Sequence, residues 1–194
     1  MLTDATKNAM LDAKYVAGVG NVNLSTHSAY SVTGASLIGA KTSANFAAAA
    51  AGVKELAANC DIAVAAAATV KWIGAWDAAG TTFLGMQPNG GNDKSFQVDV
   101  LNNRVYCEGH GYVDTDTITF HAGAAPTGLT AGTTYFVVGV TAGDPDYFQV
   151  AATSGGAAID ITGQHGAGCV VSKIIEETYG SAGTHSVSGH SVTL

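Results

Sequence analysis

The residues best suited to metal, acid–base or nucleophilic chemistry are six histidines (His27, His110, His121, His165, His185 and His190) and three cysteines (Cys60, Cys107 and Cys169). Cys107-Glu108-Gly109-His110 gathers three ligand types in one short stretch. A closed metal site, however, draws spaced pairs from two chain segments, and no second pair accompanies this one. His185 and His190 lie an odd number of residues apart, so on one strand they face opposite sides and chelate poorly. Asp114-Thr115-Asp116 and Asp144-Pro145-Asp146 concentrate carboxylates. A calcium loop needs more oxygen ligands than either supplies, so both are expected to cap turns.

The nucleophile and phosphate motifs are equally incomplete. Gly180-Ser181-Ala182-Gly183 falls short of the G-x-S-x-G elbow, and Gly18-Val19-Gly20 lacks the third glycine and following helix of a dinucleotide loop. Glu176 and Glu177 are adjacent and diverge on a strand. The expectation is a protein with no catalytic set, no cofactor and no metal. The cysteines leave two readings open: buried free thiols, or an intersubunit disulfide through Cys60, Cys107 or Cys169, since an odd number cannot all pair within one chain.

Composition narrows the partner class. Of the 194 residues 47% are hydrophobic and only 12% charged, against about 25% charged in ordinary globular domains. A surface so poor in charge suits a protein packed against copies of itself or a scaffold. Eight Lys and Arg and a net charge of −7 exclude a nucleic-acid footprint, and no run of like charge marks a membrane patch. Asp4, Lys7, Asp12 and Lys14 break any signal-peptide apolar region, and the Ala-rich run from Phe46 to Val70 is interrupted by Lys54, Glu55 and Asp61, so no membrane span is expected.

The elements that would position these residues are mostly strands. Leu2–Lys14 predicts a short helix with Thr3 as N-cap and Asp4 in the first turn, its stripe of Ala5, Ala9, Met10 and Ala13 in need of a docking partner. Gly18–Gly34 alternates as a strand, whereas Phe46–Cys60 leans towards helix on its alanine content. Thr69–Met86 holds both tryptophans and reads as a hairpin turning at Asp77-Ala78-Ala79-Gly80. Val70, Trp72, Gly74 and Trp76 share one face, and Lys71, Ile73 and Ala75 share the other. Trp72, Trp76, Phe83 and Leu84 are the expected core residues. Asn89–Asp93 is a loop, and Ser95–Glu108 predicts two strands about Asn102-Asn103. From Gly109 to Val171 five short β-patterned runs alternate with Gly- and Pro-containing turns, and the tail ends in a closing strand, His185–Leu194.

The fold class expected is therefore mainly β: a short N-terminal helix and a β-sandwich body from residues 1–108 plus 172–194, with a second small sandwich or barrel inserted as residues 109–171. Two segments carry a resemblance. Leu2-Thr3-Asp4-Ala5 through Ala13, together with Ile73-Gly74-Ala75-Trp76-Asp77-Ala78-Ala79-Gly80-Thr81-Thr82-Phe83-Leu84-Gly85, resembles a family of tailed-bacteriophage virion proteins described as tail-fibre-like or head-decoration proteins. Asp116-Thr117-Ile118-Thr119-Phe120, Gly128–Val138, Tyr147-Phe148-Gln149-Val150 and Gly155–Thr162 resemble a β-module recurrent in phage structural proteins.

The resemblance implies a non-enzymatic structural protein on the exterior of a phage particle, made in the bacterial host cytoplasm. It implies a homo-oligomer, a trimer by family habit, that binds the major capsid protein or other virion proteins as a decoration or linking (cement) protein. The alternative is a tail fibre or host-adhesion module. In that case Tyr112, Tyr135 and Tyr147 are the candidate adhesion surface, against the plainer reading that they are core aromatics of a small sandwich.

Overall fold

The computed structural model describes residues 2–90, 92–141 and 143–193. Met1, Gly91, Ala142 and Leu194 lie outside the described residues, so the expected Asn89–Asp93 loop and the terminal strand are followed only around them. The chain is mainly β with one short N-terminal helix and several antiparallel sheets, as its alternating patterns predict. It forms two compact units. The first comprises Met1–Asn89 and Glu176–Leu194, the second Gly90–Ile175.

In the first unit, α1 (Asp4–Lys14) starts at Thr3, whose side chain accepts a hydrogen bond from the Thr6 N–H. The four-stranded sheet has the order β2 (Thr42–Phe46), β1 (Gly18–His27), β6 (Trp72–Asp77), β7 (Phe83–Pro88). β6 and β7 are the expected tryptophan hairpin, and the turn is closed by Gly80 N–H donating to Asp77 O with Gly80 at φ +68°. The Asp77 carboxylate accepts hydrogen bonds from Thr82 and then from Thr81, which holds its pKa down at about 2.

A second layer is built from three antiparallel pairs. β3 (Val53–Glu55), β4 (Cys60–Val64) and β5 (Ala68–Val70) take as partners β16 (Ser191–Thr193), β15 (Gly183–Val187) and β14 (Glu177–Tyr179). The C-terminal tail thus runs back along residues 70 to 53 in reverse. The helical leaning of Phe46–Cys60 is overturned. Lys54 and Val53 are claimed by the tail, and cross-strand pairing outweighs alanine's modest helix propensity. Cys60, Ile62 and Val64 alternate inwards on β4 and meet Val22, Leu24, Ala44, Phe46, Ile73 and Ala75 of the large sheet in one core.

In the second unit one antiparallel sheet has the order β13 (Val170–Lys173), β10 (Thr117–His121), β11 (Tyr135–Val138), β12 (Tyr147–Ala151), β9 (Arg104–Tyr106), β8 (Gln97–Asp99). Lys94, just before β8, exchanges both backbone hydrogen bonds with Val171 of β13, so the sheet curls back on itself around Phe120, Val137, Phe148 and Val150. The unit begins at Gly90 rather than at Gly109, because β8 and β9 belong to this sheet: β9 pairs with β12 through Tyr106–Tyr147 and Val105–Phe148. Its other limit is Ile175 rather than Val171. Of the five expected runs, Ala157–Thr162 forms no strand. Ala158 makes one bridge to Ala151, and the run then leaves the sheet as Ile161 turns into the core.

Trp72 is the largest fully buried side chain. Trp72→Ala is expected to cost about 3–5 kcal/mol. Urea unfolding of the variant beside the wild type measures this, and a loss below about 1 kcal/mol would show that Trp72 is not structural.

Candidate functional site

The two faces of β6 differ in chemistry. Ile73 and Ala75 enter the apolar core, while Trp72, Gly74 and Trp76 stand beside Asn23, Ser25 and His27 of β1, their registered partners. Ser25 and His27 are fully buried. Trp76 Nε1–H donates to Ser25 Oγ at 2.7 Å, which leaves the Ser25 hydroxyl hydrogen for His27 Nε2 at 2.8 Å. His27 Nδ1–H then donates to Ser36 Oγ at 3.2 Å, and the Ser36 hydroxyl donates to the Ala29 carbonyl. With the Ser25 hydroxyl given to Nε2 rather than to the more distant Gly74 carbonyl at 3.4 Å, donors and acceptors match for a neutral imidazole carrying its hydrogen on Nδ1.

Packing enforces that state. His27 stacks on Trp76 and meets Phe83 edge-on, and a Cβ at position 74 would lie 2.4 Å from His27 Nε2, so only glycine fits there. Lys41 Nζ sits 3.5 Å from the Trp76 ring centroid and donates to the Gly80 carbonyl. Burial first, then the Lys41 charge, pushes the His27 pKa from 6.5 down to about 4. The Ser25 hydroxyl and the imidazole have a nucleophile–base arrangement, but among the described residues no orienting carboxylate joins them, and both are sealed from solvent. The cluster fastens the segment between β1 and β2 onto the sheet. It does not present a reactive group.

Two further polar clusters were not legible in sequence, because each joins residues far apart in the chain. Asp93, His121 and Ser172 have the composition of a hydrolase triad, yet Asp93 Oδ1 and Ser172 Oγ both approach the same ring nitrogen, Nε2, at 3.1 and 2.8 Å. A relay needs the acid and the nucleophile on opposite nitrogens, and Ser172 is fully buried, so this is a structural knot. Glu177, His185 and Asn89 form the third. Glu177 Oε2 lies 2.9 Å from His185 Nδ1, and Asn89 Oδ1 lies 3.1 Å from Nε2.

The residues singled out in the sequence fall as follows. Trp72 and Trp76 are buried, and Phe83 and Leu84 are half-buried on β7. Cys60, Cys107 and Cys169 are free thiols buried in the cores, and burial raises the pKa of each, to about 11 for Cys60 and Cys169. Burial of all three matches the buried-thiol reading. Tyr112 and Tyr135 are core aromatics, not adhesion surface. Tyr112 packs edge-on against Phe148, and the Tyr135 hydroxyl accepts from the Thr130 N–H. Only Tyr147 reaches the outer face, half-buried beside Tyr106, with the Arg104 guanidinium 4.1 Å from its ring.

Of the acidic pairs only Asp116 caps a local turn, accepting from Val113 N–H, whereas Asp114 accepts from the distant Val140 N–H, Asp146 from the distant Gly109 N–H, and Asp144 pairs with Arg104. Glu176 and Glu177 diverge, to Lys71 and His185. Among the described residues no three His, Cys, Asp or Glu side chains gather closely enough to hold a metal ion.

The accessible feature with a clear physical demand is α1. Its inward face holds Asn8, Leu11, Asp12 and, at the C-cap, Tyr15; Leu11 and Tyr15 are buried, and polar groups fix the register. Asn8 Oδ1 accepts from Gly52 N–H at 2.8 Å, and Asp12 Oδ1 accepts from Ala49 N–H and from the fully buried Lys54 ammonium. The Lys54 hydrogen bond, then that of Ala49, lowers the Asp12 pKa. The apolar stripe faces the other way. Leu2, Ala9 and Ala13 recur at helical spacing with Thr6 and Met10, all exposed, Leu2 at 51% and Met10 at 49%. Comparison with protein-family models, with curated proteins and with solved structures finds no match.

The buried His27 predicts a pH dependence. Its native pKa lies below its unfolded value, so the unfolded chain binds the extra proton first. Stability is then complete above pH 6.5 and falls as the pH drops towards 4, by up to about 3 kcal/mol. Urea midpoints across that range measure the slope, which His27→Gln should flatten.

Proposed function

We propose that this chain is a bacteriophage virion structural protein, a homo-oligomeric decoration or linking protein that binds the exterior of the capsid. The observation that carries the reading is the orientation of α1. A helix that turns Asn8 and Asp12 towards its own body and Leu2, Ala9, Met10 and Ala13 outwards leaves apolar surface that is covered only by another protein. The scarcity of charge, 12% of residues, acts in the same direction. Val16 and Val19, at 47% and 73% exposure, continue the apolar character beyond the helix.

In this role the protein does its work by binding. A subunit that recognises only the assembled lattice shifts the assembly equilibrium towards it, in proportion to the logarithm of its concentration over its dissociation constant. The antiparallel sheets and cross-strand pairs give each of the two units its own framework for that purpose. The opening helix and the tryptophan hairpin, Ile73–Gly85, are also the segments that resemble phage decoration and tail-fibre-like proteins. Tail attachment is the second reading. Its adhesion surface has shrunk to the half-buried Tyr106–Tyr147 pair, so the capsid is favoured.

Ala9→Arg is the direct test, because it places a charge at the centre of an exposed face without touching the core. The wild-type chain is expected to run as an oligomer by native mass spectrometry. The variant should run as a smaller species with its thermal midpoint unchanged within about 2 °C. An assembly that survives Ala9→Arg intact would remove α1 from the contact. Copy number on purified particles separates the two locations: hundreds of copies support the capsid, and a few dozen or fewer support the tail.

A further inference from the structure

Asn89 closes the β7 end of the first unit and is followed by Gly90, a dipeptide whose chemistry the position of His185 changes. His185 is 4% exposed and Asn89 8%. Glu177 Oε2 stands 2.9 Å from His185 Nδ1, and the Tyr179 hydroxyl, which donates to Glu177 Oε1 at 2.6 Å, steadies the carboxylate. The opposite nitrogen, Nε2, faces Asn89 Oδ1 at 3.1 Å. A carboxylate, an imidazole and an amide oxygen therefore stand in line, the order in which an acid–base pair holds a hydrogen-bond donor against a carbonyl.

We propose that Asn89 is a site of self-catalysed deamidation, with Glu177 and His185 as the promoting pair. The Gly90 nitrogen, after giving its proton to water, attacks Cγ of Asn89 and closes a five-membered ring. Both neighbours of the ring, the Glu177 carboxylate at Nδ1 and Oδ1 at Nε2, accept hydrogen bonds, so the ring that fits is the doubly protonated imidazolium, and its Nε2–H receives the negative charge that develops on Oδ1. The Cγ–Nδ2 bond then breaks, and Nδ2 leaves as ammonia with a proton returned from solvent. One water opens the resulting succinimide, giving aspartate or isoaspartate at position 89. The balance is one water consumed and one ammonia released, with no oxidant or reductant.

Two features favour the attack. Glycine puts no side chain beside the attacking nitrogen, and among the described residues its N–H makes no backbone hydrogen bond. Asn89 N–H is fixed to the Lys71 carbonyl at 2.8 Å, which keeps the side chain at His185. His185 touches the reacting oxygen and is the catalytic residue. Glu177 acts through it as a positioning residue. The product replaces a neutral amide by a carboxylate facing His185, and this chemistry is independent of where the chain assembles.

The test follows the intact mass of the full-length chain at pH 7.4 and 37 °C, where conversion adds about one dalton. Peptide mapping with isoaspartate detection then locates the change. The folded wild type is expected to convert several-fold faster than the same chain in denaturing urea, with the product confined to position 89. Glu177→Gln, at a partly exposed carboxylate, and His185→Leu should each slow the folded rate about ten-fold and leave the denatured rate unchanged. Circular dichroism shows whether each variant is folded, and if His185→Leu is not, Glu177→Gln decides alone. A folded wild type that converts no faster than its denatured form, or a folded Glu177→Gln that converts at the wild-type rate, overturns the proposal.

Discussion

The first unit depends on the return of the C-terminal tail. Residues 177–193 pair antiparallel with residues 53–70, three short strands against three, and the inner layer of the sandwich does not exist without them. Each pair alone is too short to be stable in water. Together they place Cys60, Ile62, Val64 and Val187 against the sheet formed by β2, β1, β6 and β7, and apolar burial supplies what the short ladders lack. Because the second unit lies between the partner segments in sequence, this layer closes over a long stretch of chain. Loop closure rises only logarithmically with length, which makes such an insertion tolerable for stability while slowing the folding.

Three groups of buried polar side chains follow one rule. His27, Ser25, Ser36 and Trp76 complete one hydrogen-bonded chain. Asp93, His121 and Ser172 complete a second, and Lys54 with Asp12 a third. Each would be costly if half-made, since an unsatisfied buried group forfeits its hydration without return. Specificity is the physical gain. The His27 chain fixes the segment after β1 in one position, and Lys54–Asp12 fixes α1 at one register on β3. The same accounting extends to sheet edges: the Gln164 side chain and the His165 ring occupy the Val98 and Phe96 carbonyls beside β8, and the Cys60 thiol reaches the Thr42 and Ser43 carbonyls of β2.

What remains exposed is therefore informative. With polar groups drawn inwards at α1 and few charges elsewhere, apolar residues such as Leu2, Met10, Val16 and Val19 are left at the surface of the first unit. A protein that acts by enduring association can carry such a surface, because its partner covers it. A chain that remained alone in solution would be exposed to non-specific association.

The sequence by itself determined the class of the fold and much of its punctuation. Alternation in Trp72–Trp76, the Asp77–Gly80 turn, the Asn102-Asn103 turn and the Thr3 cap are local, and local chemistry fixes them. It also carried the local capping of Asp77, Asp99 and Asp116, whose carboxylates accept from backbone N–H groups three to five residues away, but not the long-range bonds of Asp114 and Asp146. Tertiary structure alone decided the rest. Val53–Glu55 became strand because distant residues 191–193 paired with it, and β8–β9 joined the second unit because Tyr147 and Phe148 did. Tyr112 and Tyr135 proved to be core, since a strand's period marks which residues share a face but not which face is covered. The helix was legible, yet its direction was not. A stripe of alanine and methionine reads as the buried side until Lys54, fully enclosed, claims Asp12 and turns that stripe to the outside.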